Sequence, residues 1–525
     1  MASFAWLLSL AVGFLSLSQE ILWVRLISFG LRGMSQSFAI VLLCFLVGIA
    51  IGSAIGKRFC ERHDDLLRTS ALVLAAAAVI DLSLLRLLPA LLQGSASGLA
   101  AVLFLIVLAA ALKSIMFPIA HHLGSQQSGT HIGRSVSKVY FGNIIGSTLG
   151  PIVTGYVLLD RLSIDGCLLL IGLATGVLSL LCAAQARKPA TGLAAMGAII
   201  AATALAWSGP AVVPAIALAT STEHVEGTKV DHVVQNRQGI IHTLSTPDGK
   251  PDVILGGNAY DGQLNVDMRL NGNLLDRGLA LLAVHPNPER VLVIGMSTGA
   301  WARILSASPR IKEMTVVEIN PGYLKVIAQY PQVAGLLKEP RIQIVIDDGR
   351  RWLRRNPDQA FDLVVQNTTW SWRGYSTNLL SLEYMQLVSS HLKPGGIFAM
   401  NSTGSSDVLH TAHKVFPFVE RRLNFVYGSK SDFSRPVPTA EAAFRELRLD
   451  NSVVFAEQAF RAGGLAREMI KAPFVAPEQQ FAGMSESPGL ITDQNMLVEH
   501  AHGLWRYRLP NFYRKVDHAR MLLDR

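Results

Sequence analysis

The stretch RVLVIGMSTG, residues 290–299, decides the fold. Val291 to Ile294 form a short unbroken apolar run, Gly295 ends it, and STGAWARIL begins a helix. An apolar run of that length, bounded by glycine, reads as a strand buried on both faces. Working outward, EMTVVEIN (313–320), RIQIVIDD (341–348) and FDLVVQN (361–367) repeat the pattern, and GGIFAMN (395–401) follows the helix SLEYMQLVSSHLK. Strands alternating with helices predict an α/β, doubly wound Rossmann-like sheet with its ligand at the carboxyl ends of the strands.

Upstream the composition changes. Up to about residue 217 the chain consists of long apolar runs, and runs of this length match a hydrocarbon core about 30 Å thick. Spans are expected near Phe4–Ile27, Phe38–Gly56, Ser70–Leu92, Leu99–Leu123, Val139–Leu158, Ile164–Ala184 and Gly192–Val213. No basic segment precedes the first, so it does not have the layout of a cleaved signal peptide. The net charge of +9 arises from basic residues scattered among acids and gathered at span ends, which points to membrane topology and not to nucleic acid. All four cysteines, Cys44, Cys60, Cys167 and Cys182, lie in or beside the apolar part, so no disulfide framework is expected in the soluble half. Glycine recurs every fourth residue at Gly48, Gly52 and Gly56 and at Gly142, Gly146 and Gly150, which predicts close helix packing. Glu20, Arg25, Asp81, Arg86 and Lys113 need partners or water, with a Glu20–Arg25 pair the simplest arrangement and a substrate cavity the alternative.

Orientation is contested by two arguments. Lys57, Arg58, Arg62, Arg68, Arg134, Lys138, Arg187 and Lys188 fall in alternate loops, whereas the remaining loops hold little beyond Arg32 and Arg161. The positive-inside rule makes the first set cytoplasmic, and seven crossings then put the soluble half outside. Supply of a nucleotide-like cofactor favours a cytoplasmic catalytic domain. That requires the last apolar stretch to be re-entrant, or another span to be misread.

In the soluble half, residues 224–270 read as short strands, with Pro247-Asp248-Gly249 turning between IIHTL and DVIL. The predicted sheet that follows carries a consistent set of polar residues at its strand ends. Gly295 and Gly299, with Ser297 and Thr298 between them, allow close backbone approach to a ligand. Glu318 ends the second strand, where a carboxylate can accept both ribose hydroxyls. Asp348 ends the third beside Asp347 and Gly349, where a carboxylate can accept from an adenine amino group. This combination, with no pyrophosphate cradle, describes a pocket for S-adenosylmethionine or decarboxylated S-adenosylmethionine.

The motifs VLVIGMSTG, MTVVEINPGYL, RIQIVIDDGRRWL, FDLVV and HLKPGGIFAMN together resemble the spermidine synthase (polyamine aminopropyltransferase) family. With EILWVRL in the first span and VYFGNIIGSTLGPIVTGYVLL in the fifth, the order of parts resembles its membrane-fused bacterial members. The resemblance implies that Glu318 holds the ribose and Asp348 the adenine, with a small β-rich sheet over the site. It also exposes departures. Where the family has an acid in the glycine loop this chain has Thr298; where it has a catalytic acid after the fourth strand there is Asn367; and a polyamine-gripping acid is matched by Trp370. A buried ammonium without a countercharge costs several kcal/mol, so transfer to putrescine is in doubt.

Asp261 is the candidate replacement base, with Tyr260 beside it; an Asp-Gly turn is the plainer reading of the same residues. Asn367 is expected to accept a hydrogen bond from an amine. Trp370, Arg373, Asn265 and Asp267 are candidate substrate contacts, Arg373 for a carboxylate. NTTW (367–370) is loosely similar to the aromatic loop of amino-methyltransferases. ITDQNMLVEHAHG (491–503) resembles a recurring phrase of the fused proteins, and its His500 and His502 lack partners for a metal site.

The expected organisation is a membrane domain (1–217), a small β-rich subdomain (218–285), an adenosyl-binding domain (286–435) and a C-terminal extension (436–525). The expected function is alkyl transfer, methyl or aminopropyl, to a small-molecule or lipid-like acceptor at the bilayer. A non-catalytic adenosyl sensor or transporter, and a true spermidine synthase with rearranged acids, are the alternatives. A homodimer stays open.

Overall fold

A computed structural model describes residues 2–62, 65–92, 96–125, 132–221, 225–367, 370–475 and 488–500. Among these, seven helices are long and apolar enough to cross a membrane: Ala2–Gly30, Gln36–Arg62, Leu66–Leu91, Ser97–Ser125, Gly133–Arg161, Ile164–Gln185 and Pro189–Trp207. The seventh ends sooner than expected from the sequence. Pro210 has no N–H with which to continue a helix, and Val212–Thr220 forms a separate short helix with Val212, Val213, Ile216 and Ala217 buried. Arg86 takes over the carbonyls left at the break, donating from Nε to Leu205 O at 2.9 Å and from Nη1 to Pro210 O at 2.8 Å.

The glycine repeats are packing surfaces. A Cβ on Gly48 would lie 2.6 Å from Val107 O of the fourth span, and one on Gly142 would lie 2.9 Å from Trp6 Nε1 of the first. Backbones can approach this closely only where no side chain intervenes. Glu20 and Arg25 do not pair, because Arg25 turns to the soluble half and donates to Asn236 O and, at 2.8 Å, to Arg237 O. Asp81 and Lys113 form a buried ion pair at 2.5 Å, and Gln19 bonds to both. This triad ties the first, third and fourth spans together with each charge partnered.

The soluble half sits on one end of the bundle. Ile164 N donates to Gln235 Oε1 at 2.9 Å, Arg237 N to Asp160 Oδ1 at 2.8 Å, and Gly374 N to Gly33 O at 2.8 Å. The rings of Phe29 and His242 meet edge to face at 5.6 Å. These contacts use the helix ends that are poor in basic residues. By alternation of the helices, the ends bearing Lys57, Arg58, Arg134, Arg187 and Lys188 point the other way.

Two sheets build the soluble half. Strands β1 (Lys229–Asn236), β2 (Gly239–Ser245), β3 (Val253–Gly256) and β4 (Ala259–Gln263) form an antiparallel meander, with the Pro247-Asp248-Gly249 turn between β2 and β3 as expected. The large sheet contains β5 (Arg290–Ile294), β6 (Glu313–Glu318), β7 (Ile342–Ile346), β8 (Phe361–Gln366), β9 (Leu392–Asn401), β10 (Phe418–Arg422) and β11 (Phe425–Ser429) in the order β10-β11-β9-β8-β5-β6-β7. Strands β5 to β9 pair in parallel, and β11 joins β9 antiparallel. The hairpin β10–β11 was not expected, since FVERR at an edge has too little apolar alternation to signal a strand. The order reverses between β6 and β8 on either side of β5, which places a binding crevice at the carboxyl ends of these strands. Helix Asp276–Val284 packs against Ala300–Ser306 of the large domain and against Ala440–Arg445 and Leu465–Lys471 of the C-terminal part.

Candidate active site

The loop after β5 is shaped by backbone that L side chains rarely adopt. Gly295 (φ 83°), Ser297 (φ 52°) and Gly299 (φ 77°) are all left-handed. At Gly299 there is a second constraint, since a Cβ would lie 2.9 Å from Leu336 Cδ2. Thr298 is buried and its Oγ1 accepts from Ala300 N at 3.1 Å, which closes a turn just before the helix that follows. Ser297 Oγ donates to the carbonyl of Asp261 at 2.5 Å, which ties the loop to β4.

Glu318 holds this loop against β6. Its Oε2 accepts from Met296 N at 2.8 Å and its Oε1 from Asn320 N at 2.8 Å. Burial pushes its pKa up to about 7, against these backbone N–H groups, which pull it down, and with the Asp261 charge adding to the rise. Each carboxylate oxygen keeps acceptor capacity beyond one N–H, so two hydroxyls can be added. Asp348 caps helix Gly349–Arg355 by accepting from Arg351 N at 2.7 Å. Asp347 accepts from Asp348 N at 2.8 Å and pairs with Arg351 and, at 3.7 Å, with Arg355. Its role is therefore to shape the turn, and Asp348 is the acid left for a base edge. Gly349 lets this turn press on β5, where a Cβ would lie 2.5 Å from Ile294.

The opposite wall comes from β4 and from the chain after β8. Asp261 lies within β4, not in a hairpin turn; Gly262 beside it (φ 134°) marks an irregularity in the β3–β4 pairing. Tyr323, which the sequence reading did not single out, donates its hydroxyl to Asp261 Oδ2. Burial raises the pKa of Asp261, and the nearby Arg373 charge and the Tyr323 hydroxyl oppose the rise. Trp370 Nε1 donates to the Tyr260 carbonyl at 3.1 Å and the ring stacks on Trp372, which packs on the core of the apolar helices. Tyr260 thus contributes a backbone contact at this wall. Residues Thr368 and Thr369 of the NTTW likeness, and His502, lie outside the described residues.

Asn367 is oriented differently from the sequence expectation. Arg277 is buried against the stacked rings of Trp301 and Phe425 and donates to Asn424 Oδ1. Asn424 Nδ2 donates to Asn401 Oδ1 at 2.8 Å, and Asn401 Nδ2 to Asn367 Oδ1 at 3.3 Å. A guanidinium can only donate, so the direction of the whole chain is fixed. The carbonyl of Asn367 is turned to Asn401 and keeps one lone pair, and the N–H groups are the part of the amide that the relay leaves for a ligand.

Asn265 and Asp267 are engaged locally. Asn265 Oδ1 accepts from Asp267 N at 3.0 Å in a turn, and Asp267 pairs with the exposed Arg269 at 2.8 Å. An Asn two residues before its donor closes such a turn on itself. Among the described residues, no group of three or more His, Cys, Asp or Glu side chains could hold a metal ion.

The C-terminal phrase gains a role. Asp493 pairs with Arg350 at 2.5 Å and accepts from Ser381 Oγ at 2.6 Å. The buried Glu499 accepts from Tyr375 N at 2.8 Å and Thr377 N at 2.9 Å, and its carbonyl accepts from Ser35 Oγ at 3.0 Å. Tyr375 is left-handed (φ 69°), a strained state that this carboxylate holds. Arg373 also forms a β-bridge with Met34 of the membrane turn.

Residues 279–449, which span the crevice and both of its acids, match the model of the spermine/spermidine synthase domain. The chain is 30% identical over 164 residues to the polyamine aminopropyltransferase of Streptococcus uberis, covering 31% of this chain and 56% of that protein. It is 31% identical over 118 residues to that of Bacillus subtilis, covering 22% of this chain and 42% of that protein. The chain thus spans about half the length of the curated relatives it matches. Among solved structures it is similar to spermidine synthase from Thermotoga maritima (20% identity, TM-score 0.37, 49% of this chain and 88% of that one). A second is human methyltransferase-like protein 13 in complex with SAH (21% identity, TM-score 0.29, 36% and 97%).

Proposed function

We propose that this protein is a membrane-anchored alkyltransferase that uses S-adenosylmethionine or its decarboxylated form to alkylate a small-molecule or lipid-like acceptor. The observation that carries the reading is Glu318, a buried carboxylate fixed by two backbone N–H groups at the carboxyl end of β6, beside the left-handed loop after β5. The residues fit the cofactor: Glu318 would accept the ribose hydroxyls, Asp348 the adenine amino group, and Gly295 and Gly299 would admit the chain between sugar and sulfur. When bound, such a cofactor supplies a carbon activated by a positively charged sulfur. What the protein adds is alignment and exclusion of water. Asp261, with Tyr323, would take the proton that an amine loses on alkylation. The relatives' name, polyamine aminopropyltransferase, makes aminopropyl transfer the first class to test.

A second reading is an adenosyl-binding sensor, which the direct seating of the 370–377 segment on the membrane turn 31–35 favours. Incubating the detergent-purified protein with each cofactor and membrane extract, with mass spectrometry of the nucleoside product, separates the readings. 5′-Methylthioadenosine reports aminopropyl transfer from the decarboxylated form, or aminocarboxypropyl transfer or lyase chemistry from S-adenosylmethionine, and S-adenosylhomocysteine reports methyl transfer. Binding without either product would refute the enzymatic reading and leave the sensor.

A further inference from the structure

Donors flank Asp261 at the acceptor end of the site, the Tyr323 hydroxyl by a hydrogen bond and Arg373 by its charge. The relay from Arg277 through Asn424 and Asn401 fixes the Asn367 carbonyl inward, so the groups it presents at the end of β8 are N–H. Thr403 N also donates to Asn401 Oδ1 at 2.9 Å, which fixes the same polarity independently. The acid on this wall is already countered: Asp261 accepts from Tyr323 and lies in the field of Arg373. The guanidinium of Arg373 lies close over Gly257, where a Cβ would be 2.5 Å from Nη2, and over Gly33, where one would be 2.8 Å from Nε.

We propose, resting on the adenosyl reading above, that this end is a specificity site for a carboxylate, read by the Asn367 amide N–H groups and by Arg373. The carboxylate belongs either to the cofactor's amino-acid end or to the acceptor. A polycation is disfavoured, because it would meet donors and a guanidinium where it needs acceptors.

Calorimetry on the full-length protein in detergent tests this with two arms. The first compares S-adenosylmethionine with decarboxylated S-adenosylmethionine, which differ by the carboxylate. The second compares 4-aminobutyrate with putrescine on protein saturated with 5′-methylthioadenosine. Preference for S-adenosylmethionine by about tenfold or more, reduced in Arg373→Gln and in Asn401→Leu, assigns the carboxylate to the cofactor. Equal binding in the first arm with 4-aminobutyrate favoured in the second assigns it to the acceptor. Preference for the decarboxylated form together with putrescine, or no discrimination in either arm, overturns the proposal. Failure of every nucleoside to bind would refute the adenosyl reading itself, a distinct result.

Discussion

At the scale of single residues, Glu318 makes the most exacting demand. Its pKa is raised to about 7 by burial, so it holds a proton in the folded state over a range in which the unfolded chain has lost it. The unfolded state then binds fewer protons between pH 4.5 and about 7, and this group's contribution to stability falls as pH rises through that window. Ligand hydroxyls donate to the ionised form, so the pH dependence of binding runs the other way. Nucleoside affinity is expected to rise about tenfold from pH 6 to pH 8, with proton release on binding, read by calorimetry in buffers of different ionisation enthalpy. A flat profile would contradict the ionised clamp. Asp261→Asn is expected to lower turnover about 100-fold while leaving nucleoside affinity nearly unchanged; an equal loss in both would make Asp261 a binding residue. Glu318 and Asp348 were legible because strand ends in a doubly wound sheet have fixed meaning. Tyr323 and the Asn401–Asn424 relay were not, because such partners meet only after the sheet has formed and leave no period in the sequence.

At the scale of elements, close packing and long-range clamps dominate. Gly48→Leu must push the second span off Val107 of the fourth, so a loss of about 1–3 kcal/mol is expected, read as earlier thermal unfolding in detergent. An unchanged midpoint would mean that these helices do not touch. Glu499→Gln removes one of two acceptors for Tyr375 N and Thr377 N, and an unmet buried N–H costs about 1–3 kcal/mol. Tryptic cleavage after Arg373 should accelerate about tenfold, with nucleoside affinity unaffected. The same cleavage rate as wild type would show that the C-terminal segment does not hold the loop. The glycine spacing announced the first of these contacts directly. The second joins residues 122 and 124 positions apart, and only a repeated phrase of unassigned role hinted at it. The unexpected break after Trp207 has the same origin, since the apolar run continues past Pro210 while the backbone cannot.

At the scale of the whole molecule, the soluble half and the basic ends of the helices lie at opposite ends of the helix bundle. A cysteine introduced at Lys188 or at Ser431, each in a background with Cys60 replaced by serine and the buried Cys44, Cys167 and Cys182 kept, should be labelled by an impermeant maleimide at one position in intact cells and at the other only after the cells are opened; labelling of both in intact cells would contradict the seven-helix parity. The labelled side also decides between charge bias, which puts the soluble half outside, and cofactor supply, which puts it in the cytoplasm. The central claim is tested most directly by titrating the purified full-length protein with S-adenosylmethionine and its decarboxylated form, beside Glu318→Ala. Loss of two charge-assisted hydrogen bonds predicts saturable binding by the wild type, weakened by roughly 30- to 100-fold or more in the variant. Equal affinity in the two proteins, or no binding by either, would contradict the adenosyl pocket.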